Sequence, residues 1–102
     1  MKEDNKKTDE HILVCLSAAP SNQKIIDTAA KMANALQTRF TALYVQTGTK
    51  AEAADKEKLE EHIRYAEKLG AEIVMTHGEN IPVQIAEYAR LSNVTKIVIG
   101  QS

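Results

Sequence analysis

His11-Ile12-Leu13-Val14-Cys15-Leu16-Ser17 decides the fold of this chain. Ile12 to Leu16 is an unbroken apolar run, too short for a helix of its own. Such a run fits a strand covered on both faces, as in a parallel sheet sandwiched between helices. It empties into a small polar loop, Ser17-Ala18-Ala19-Pro20-Ser21-Asn22. In open parallel sheets ligands bind at such strand ends, which makes Ser17 the first candidate site residue.

Working outward, each following segment repeats the pattern. Ser21 or Asn22 is placed to cap a helix by accepting from its orphan N–H groups. Ile25, Ile26, Ala29, Ala30, Ala33 and Leu36 recur at helical spacing through Gln37. Arg39 to Gln46 is a second strand, rich in β-branched and aromatic residues. Lys50 to Leu69 is a polar helix with Leu59, Ile63, Ala66 and Leu69 on its inward stripe, stopped by Gly70. A third strand, Ala71 to Thr76, precedes a short helix capped by Asn80 with Pro82 in its first turn. Thr95 to Ile99 is a fourth strand. Met1 to Glu10 is polar, charged and aperiodic, and reads as a disordered lead or linker.

A helix between every pair of strands makes the strands parallel and the crossovers right-handed. The expected class is α/β, an open twisted sheet with helices on both faces. The 102 residues allow one domain. A chain of this size buries roughly 65% of its unfolded surface, enough for a core without staples.

Composition narrows the chemistry. A net charge of -1 supplies no field for nucleic acid or an anionic membrane. The single cysteine excludes an internal disulfide and a cysteine-rich zinc site, and Cys15 reads as an inert buried thiol. His11, His62 and His77 have no metal-ligand spacing. No apolar stretch approaches the ~20 residues that span a bilayer, and the cytoplasm is the expected compartment. Catalytic triads, a complete phosphate-binding loop and a dinucleotide glycine fingerprint are missing from the sequence, so catalysis by this chain is not expected.

The stretches Ile12 to Ser17, Phe40 to Val45, Ala66 to Glu72 and Asn93 to Gly100 together resemble a universal stress protein domain. Tyr88-Ala89-Arg90 followed by Asn93-Val94-Thr95-Lys96-Ile97 resembles the version inside KdpD-type sensor histidine kinases, which control potassium uptake. The resemblance covers His11 to Ser102. It implies a three-layer, Rossmann-like (adenine nucleotide alpha hydrolase-like) sheet of order 3-2-1-4, with the family's fifth strand absent from this chain. It also implies a cytoplasmic regulatory domain whose parent kinase is membrane-anchored and whose other domains are its partners. The alternative is a free-standing stress protein that binds ATP or acts as a scaffold.

Family members that bind ATP use an acidic residue after the first strand and a glycine-rich loop after the fourth. Here Ser17 stands at the acidic position, and Gly100 is the first glycine of that loop. A second motif of KdpD-type domains is implied to bind cyclic di-adenosine monophosphate (cyclic di-AMP): Ser-x-Ser, twenty residues, then Phe-Thr-Ala-x-Tyr. Phe40-Thr41-Ala42-Leu43-Tyr44 matches its second half, and counting back places the first half at Ser17-Ala18-Ala19, so that Ala19 replaces a serine. The implied binding residues are thus Ser17, Ala19, Phe40, Thr41, Ala42, Tyr44 and Gly100, with cyclic di-AMP preferred to ATP and no cofactor required. Against this stand plainer roles: turn formation for Ser17 and Ser21, packing for Phe40 and Tyr44, and β-propensity for Thr41. Lys96-Ile97-Val98-Ile99 would be a bare apolar edge, expected to pair with a second copy or a free-standing stress protein.

Overall fold

A computed structural model describes residues 10–46 and 53–99. Its elements are β1 (His11–Cys15), α1 (Asn22–Leu36), β2 (Arg39–Gln46), α2 (Ala53–Lys68), β3 (Glu72–His77), α3 (Ile81–Leu91) and β4 (Lys96–Val98). The four strands form one parallel sheet in the order β3-β2-β1-β4. β1 pairs with β2 on one side, Leu13 opposite Thr41, and with β4 on the other, Leu13 opposite Ile97. Ile12, Leu13 and Val14 are fully buried, as a strand covered on both faces requires.

Topology assigns the layers. From β1 through β2 to β3 the chain steps in one direction, so right-handed crossovers put α1 and α2 on the same face. From β3 it returns across the sheet to β4, which puts α3 on the other. The main core lies on the α1–α2 face, where Ile12, Val14, Leu16, Phe40 and Ala42 meet Ile26, Ala29, Ala33 and Ala66. Alanines at the helix contacts let α1 and α2 sit close to the strands. The α3 face is thinner. Leu13 and Leu43 are buried there, yet no residue of α3 is itself buried, and Ile81, Val83 and Leu91 stay exposed.

The helix boundaries follow local chemistry. Gln37 ends α1 in the left-handed region at φ 52°, and Gly70 at φ 102° does the same after α2. Asn80 caps α3, its Oδ1 accepting from Val83 N at 3.2 Å. The expected first turn of the polar helix before residue 53, and most of the N-terminal lead, lie outside the described residues.

At the start of the sheet, two residues do more than the sequence suggested. Glu10, assigned to the lead, belongs to the fold: its carbonyl accepts from Thr38 Oγ1, and its Oε1 accepts from Thr95 Oγ1 at 2.6 Å. Thr41 is fully buried, and its hydroxyl lies 2.7 Å from Nε2 of His11, itself 2% exposed. The ring's Nδ1 lies 3.1 Å from the Ser92 carbonyl. Thr41 is therefore the hydrogen-bond partner that makes a buried histidine affordable, beyond any β-propensity.

Cys15 ends β1 half-buried, and burial pushes its thiol from 9.0 up to about 11. Only the thiolate reacts, so at pH 8 iodoacetamide should modify folded protein about 100-fold more slowly than the urea-unfolded chain. Mass spectrometry over a time course reads this directly; equal rates would contradict it.

Candidate functional site

The candidate site forms where β1 ends. Leu16 makes the last ladder bond, its N–H donating to the Leu43 carbonyl at 2.8 Å. The chain then leaves the sheet and turns into α1 through Ser17 to Ser21. Asn22 organises that turn. Its Nδ2 donates to the Cys15 carbonyl at 3.0 Å, and its Oδ1 accepts from Ser17 N at 3.2 Å. Its own N–H donates to the Ala19 carbonyl at 3.0 Å. Strand end, loop and helix start are thus tied to one amide that is only 2% exposed.

This corrects the capping assignment. Ser21 occupies the N-cap position but makes no side-chain cap bond, and Asn22 is the first residue of the helix with its amide turned back to the strand. Replacing Asn22 with Ala should cost about 1–3 kcal/mol, since it strands the Cys15 carbonyl and the Ser17 N–H. A urea titration reads the loss; a change below ~0.5 kcal/mol would show that water replaces the amide freely.

The loop has two further ties. Ser17 Oγ accepts from Ala19 N at 3.2 Å. The Ser17 carbonyl accepts from Nδ1 of His62, on α2, at 2.7 Å. His62 is 7% exposed, although it lies on the most polar helix of the chain. Its spacing carried the signal: with Leu59, Ile63 and Ala66 it shares one face of the helix.

Ser17 and Ala19 stay exposed on this loop. The strand register carries Leu16 alongside Tyr44, so Tyr44 reaches the same end of the sheet. Tyr44 is half-buried and lines a cleft of about 380 Å³ beneath α2, with Leu59, Ile63, Ile73 and Met75 as its apolar walls. Gln46, Lys56 and Glu60 supply polar groups to the same cleft. An aromatic ring set in an apolar wall beside amide, ammonium and carboxylate groups can hold a flat heterocycle by stacking.

The remaining motif residues lie elsewhere. Phe40 stands opposite Ile12 near the start of the strands, about 13 Å along β2 from Tyr44 at ~3.3 Å per residue. Its ring is 6% exposed in the core. Thr41 and Ala42 are fully buried, one turned to each face of the sheet. Gly100 lies outside the described residues. The structure thus brings Ser17, Ala19 and Tyr44 to one end and leaves Phe40, Thr41 and Ala42 inside.

Among the described residues, no cluster of His, Cys, Asp and Glu could hold a metal ion. No described helix is long and apolar enough to cross a membrane.

No family model matches the chain. The sensor protein KdpD of Clostridium acetobutylicum is 47% identical over 95 residues, 93% of this chain and 11% of the relative. KdpD of Escherichia coli K12 is 28% identical over 96 residues, 92% of this chain and again 11% of the relative. The chain therefore spans about a ninth of the curated relatives it matches. Among solved structures, a universal stress protein family member from Burkholderia pseudomallei superposes with TM-score 0.71 at 16% identity, covering 92% of this chain and 83% of that one. A universal stress protein in complex with cAMP gives 0.63 at 20% identity, covering 86% and 69%. The universal stress protein from Archaeoglobus fulgidus in complex with dAMP gives 0.61 at 22%, covering 89% and 80%. By strand order and superposition the chain has the universal stress protein fold, and in sequence it corresponds to one segment of the KdpD sensor proteins.

Proposed function

We propose that this domain is a cytoplasmic regulatory input module of a sensor histidine kinase governing potassium uptake, and that it binds an adenine nucleotide, cyclic di-AMP in first place. The observation that carries the reading is the placement of Ser17 and Tyr44 at the same end of a sheet of this fold. Ser17 offers a hydroxyl for phosphate or ring nitrogens, and Tyr44 a face for a base. Two proteins of the same fold are described in complex with cAMP and with dAMP, which supports adenine as the base.

The domain would act by differential binding. A ligand that prefers one arrangement of the strand-end loops shifts the population toward it, and the attached domains read that shift. The partners are the other domains of the kinase, together with a second copy or a stress protein at the outer edge of β4, where Ile97 and Ile99 are exposed. Catalysis is left to the rest of the parent protein. The 47% identity to a KdpD segment favours this reading over a free-standing stress protein that binds ATP.

Calorimetric titration with cyclic di-AMP and with ATP tests it. Saturable heat with cyclic di-AMP, weaker with ATP, is expected. Heat with ATP alone would favour the free-standing type of site. No heat with either would leave protein–protein scaffolding as the function.

A further inference from the structure

His62 is buried in the most polar helix of the domain, between exposed Glu61 and half-buried Ile63. A backbone carbonyl only accepts, so the 2.7 Å contact to Ser17 requires the proton on Nδ1 of His62. The bond joins residues 45 apart in sequence and fastens α2 to the loop after β1. The adjoining positions of the same helix, Leu59, Glu60 and Ile63, wall the cleft that holds Tyr44. A second tie, from Tyr65 Oη to the Asp27 carboxylate, secures α2 to α1. Among the described residues, the His62 imidazole is thus the hydrogen-bonded link between the Ser17 carbonyl and the helix that walls the cleft.

We propose that His62 is a positioning residue that locks the Ser17 loop to α2, so that the loop and the Tyr44 cleft adopt their arrangements together. The consequence for ligand affinity rests on the nucleotide reading above; the lock itself does not. Without the imidazole, the Ser17 carbonyl loses its donor, and the described side-chain ties left to the loop are those of Asn22 and Ser17 Oγ. A ligand engaging Ser17 would then gain nothing from the order of α2, and one seated against Tyr44 nothing from the loop.

The test compares His62→Ala, His62→Leu and His62→Asn in the unliganded domain by amide hydrogen exchange and by the ring signals of Tyr44. The Ala19 N–H, bonded to Ser17 Oγ, is the loop reporter. Asparagine carries an N–H donor close to the position of Nδ1, whereas leucine keeps apolar volume and supplies none. Exchange at Ala19 should rise about tenfold in the alanine and leucine variants, the scale of one lost hydrogen bond, and return toward wild type in the asparagine variant. The Tyr44 ring signals should shift in the first two variants and stay unmoved in the surface control Arg64→Ala. Cyclic di-AMP affinity should fall by a similar factor in the same two variants and recover with asparagine. Unchanged exchange at Ala19, or a rise that asparagine does not reverse, would overturn the lock. Loosening of Ala19 with no movement of the Tyr44 ring would overturn the coupling. If wild-type protein binds no nucleotide, the nucleotide reading fails, while exchange and ring signals still decide the lock.

Discussion

Truncating Leu13 to alanine is expected to cost about 2–5 kcal/mol, the range for large-to-small changes in a closed core. Leu13 is fully buried at the middle of β1, with Thr41 beside it on β2 and Ile97 on β4. Its side chain lies on the α3 face, where α3 buries none of its own residues. That face has little material with which to refill a cavity, so the loss should fall toward the upper part of the range. A domain of this size holds only about 5–15 kcal/mol in total. The variant should therefore unfold at much lower urea, with an unchanged slope. Ile97→Ala is the internal comparison. At 42% exposure Ile97 should lose less than ~1 kcal/mol, and equal losses at the two sites would show that the α3 face is packed more fully than its burial indicates.

The same two faces explain what could be read from residues alone. Parallel pairing and helices on both faces follow from periodicity and crossover length, which are local properties of the chain, whereas the strand order was implied by the resemblance to universal stress protein domains. Gly70 and Asn80 likewise act on their own helix ends, and their roles were legible for that reason. The site was less so because its polar contacts are long-range. Nothing local distinguishes Asn22 as a cap from Asn22 as the amide that holds the end of β1; the choice depends on where the Cys15 carbonyl lies. His62 shares the apolar stripe of α2, a visible sign that it points inward, but its partner Ser17 is on another element. His11 and Thr41 recognise each other across adjacent strands only once the register is set. Phe40-Thr41-Ala42-Leu43-Tyr44 reads as one motif in sequence, yet alternation and strand length distribute it among both faces and two ends of β2.

That dispersal gives the second large prediction, a difference between two aromatic residues of one motif. Tyr44→Ala should weaken cyclic di-AMP binding about 5- to 100-fold, since a base stacked on an aromatic ring contributes about 1–3 kcal/mol. Tyr44→Phe keeps the face of the ring and should retain most of the affinity, unless the hydroxyl itself contacts the ligand. Phe40→Leu should behave differently. The Phe40 ring is 6% exposed and packs among Ile12, Ala33 and Ala71 in the main core, so its loss should lower the urea midpoint by an amount worth about 1 kcal/mol and leave affinity within about twofold. Both titrations must be run at a temperature where the variants stay fully folded, because an unfolded fraction imitates weak binding. Equal affinity loss from Tyr44→Ala and Phe40→Leu would mean that the motif acts as one ligand surface after rearrangement of β2. A full-strength Tyr44→Ala variant would remove Tyr44 from the site and leave Ser17 without an aromatic partner at this end of the sheet. The divergent outcome, Tyr44 on affinity and Phe40 on stability, is the one that the proposed site predicts from the burial of Phe40 and the strand-end position of Tyr44. A motif contiguous in sequence can divide its labour, one half facing the ligand and the other carrying the strand that presents it.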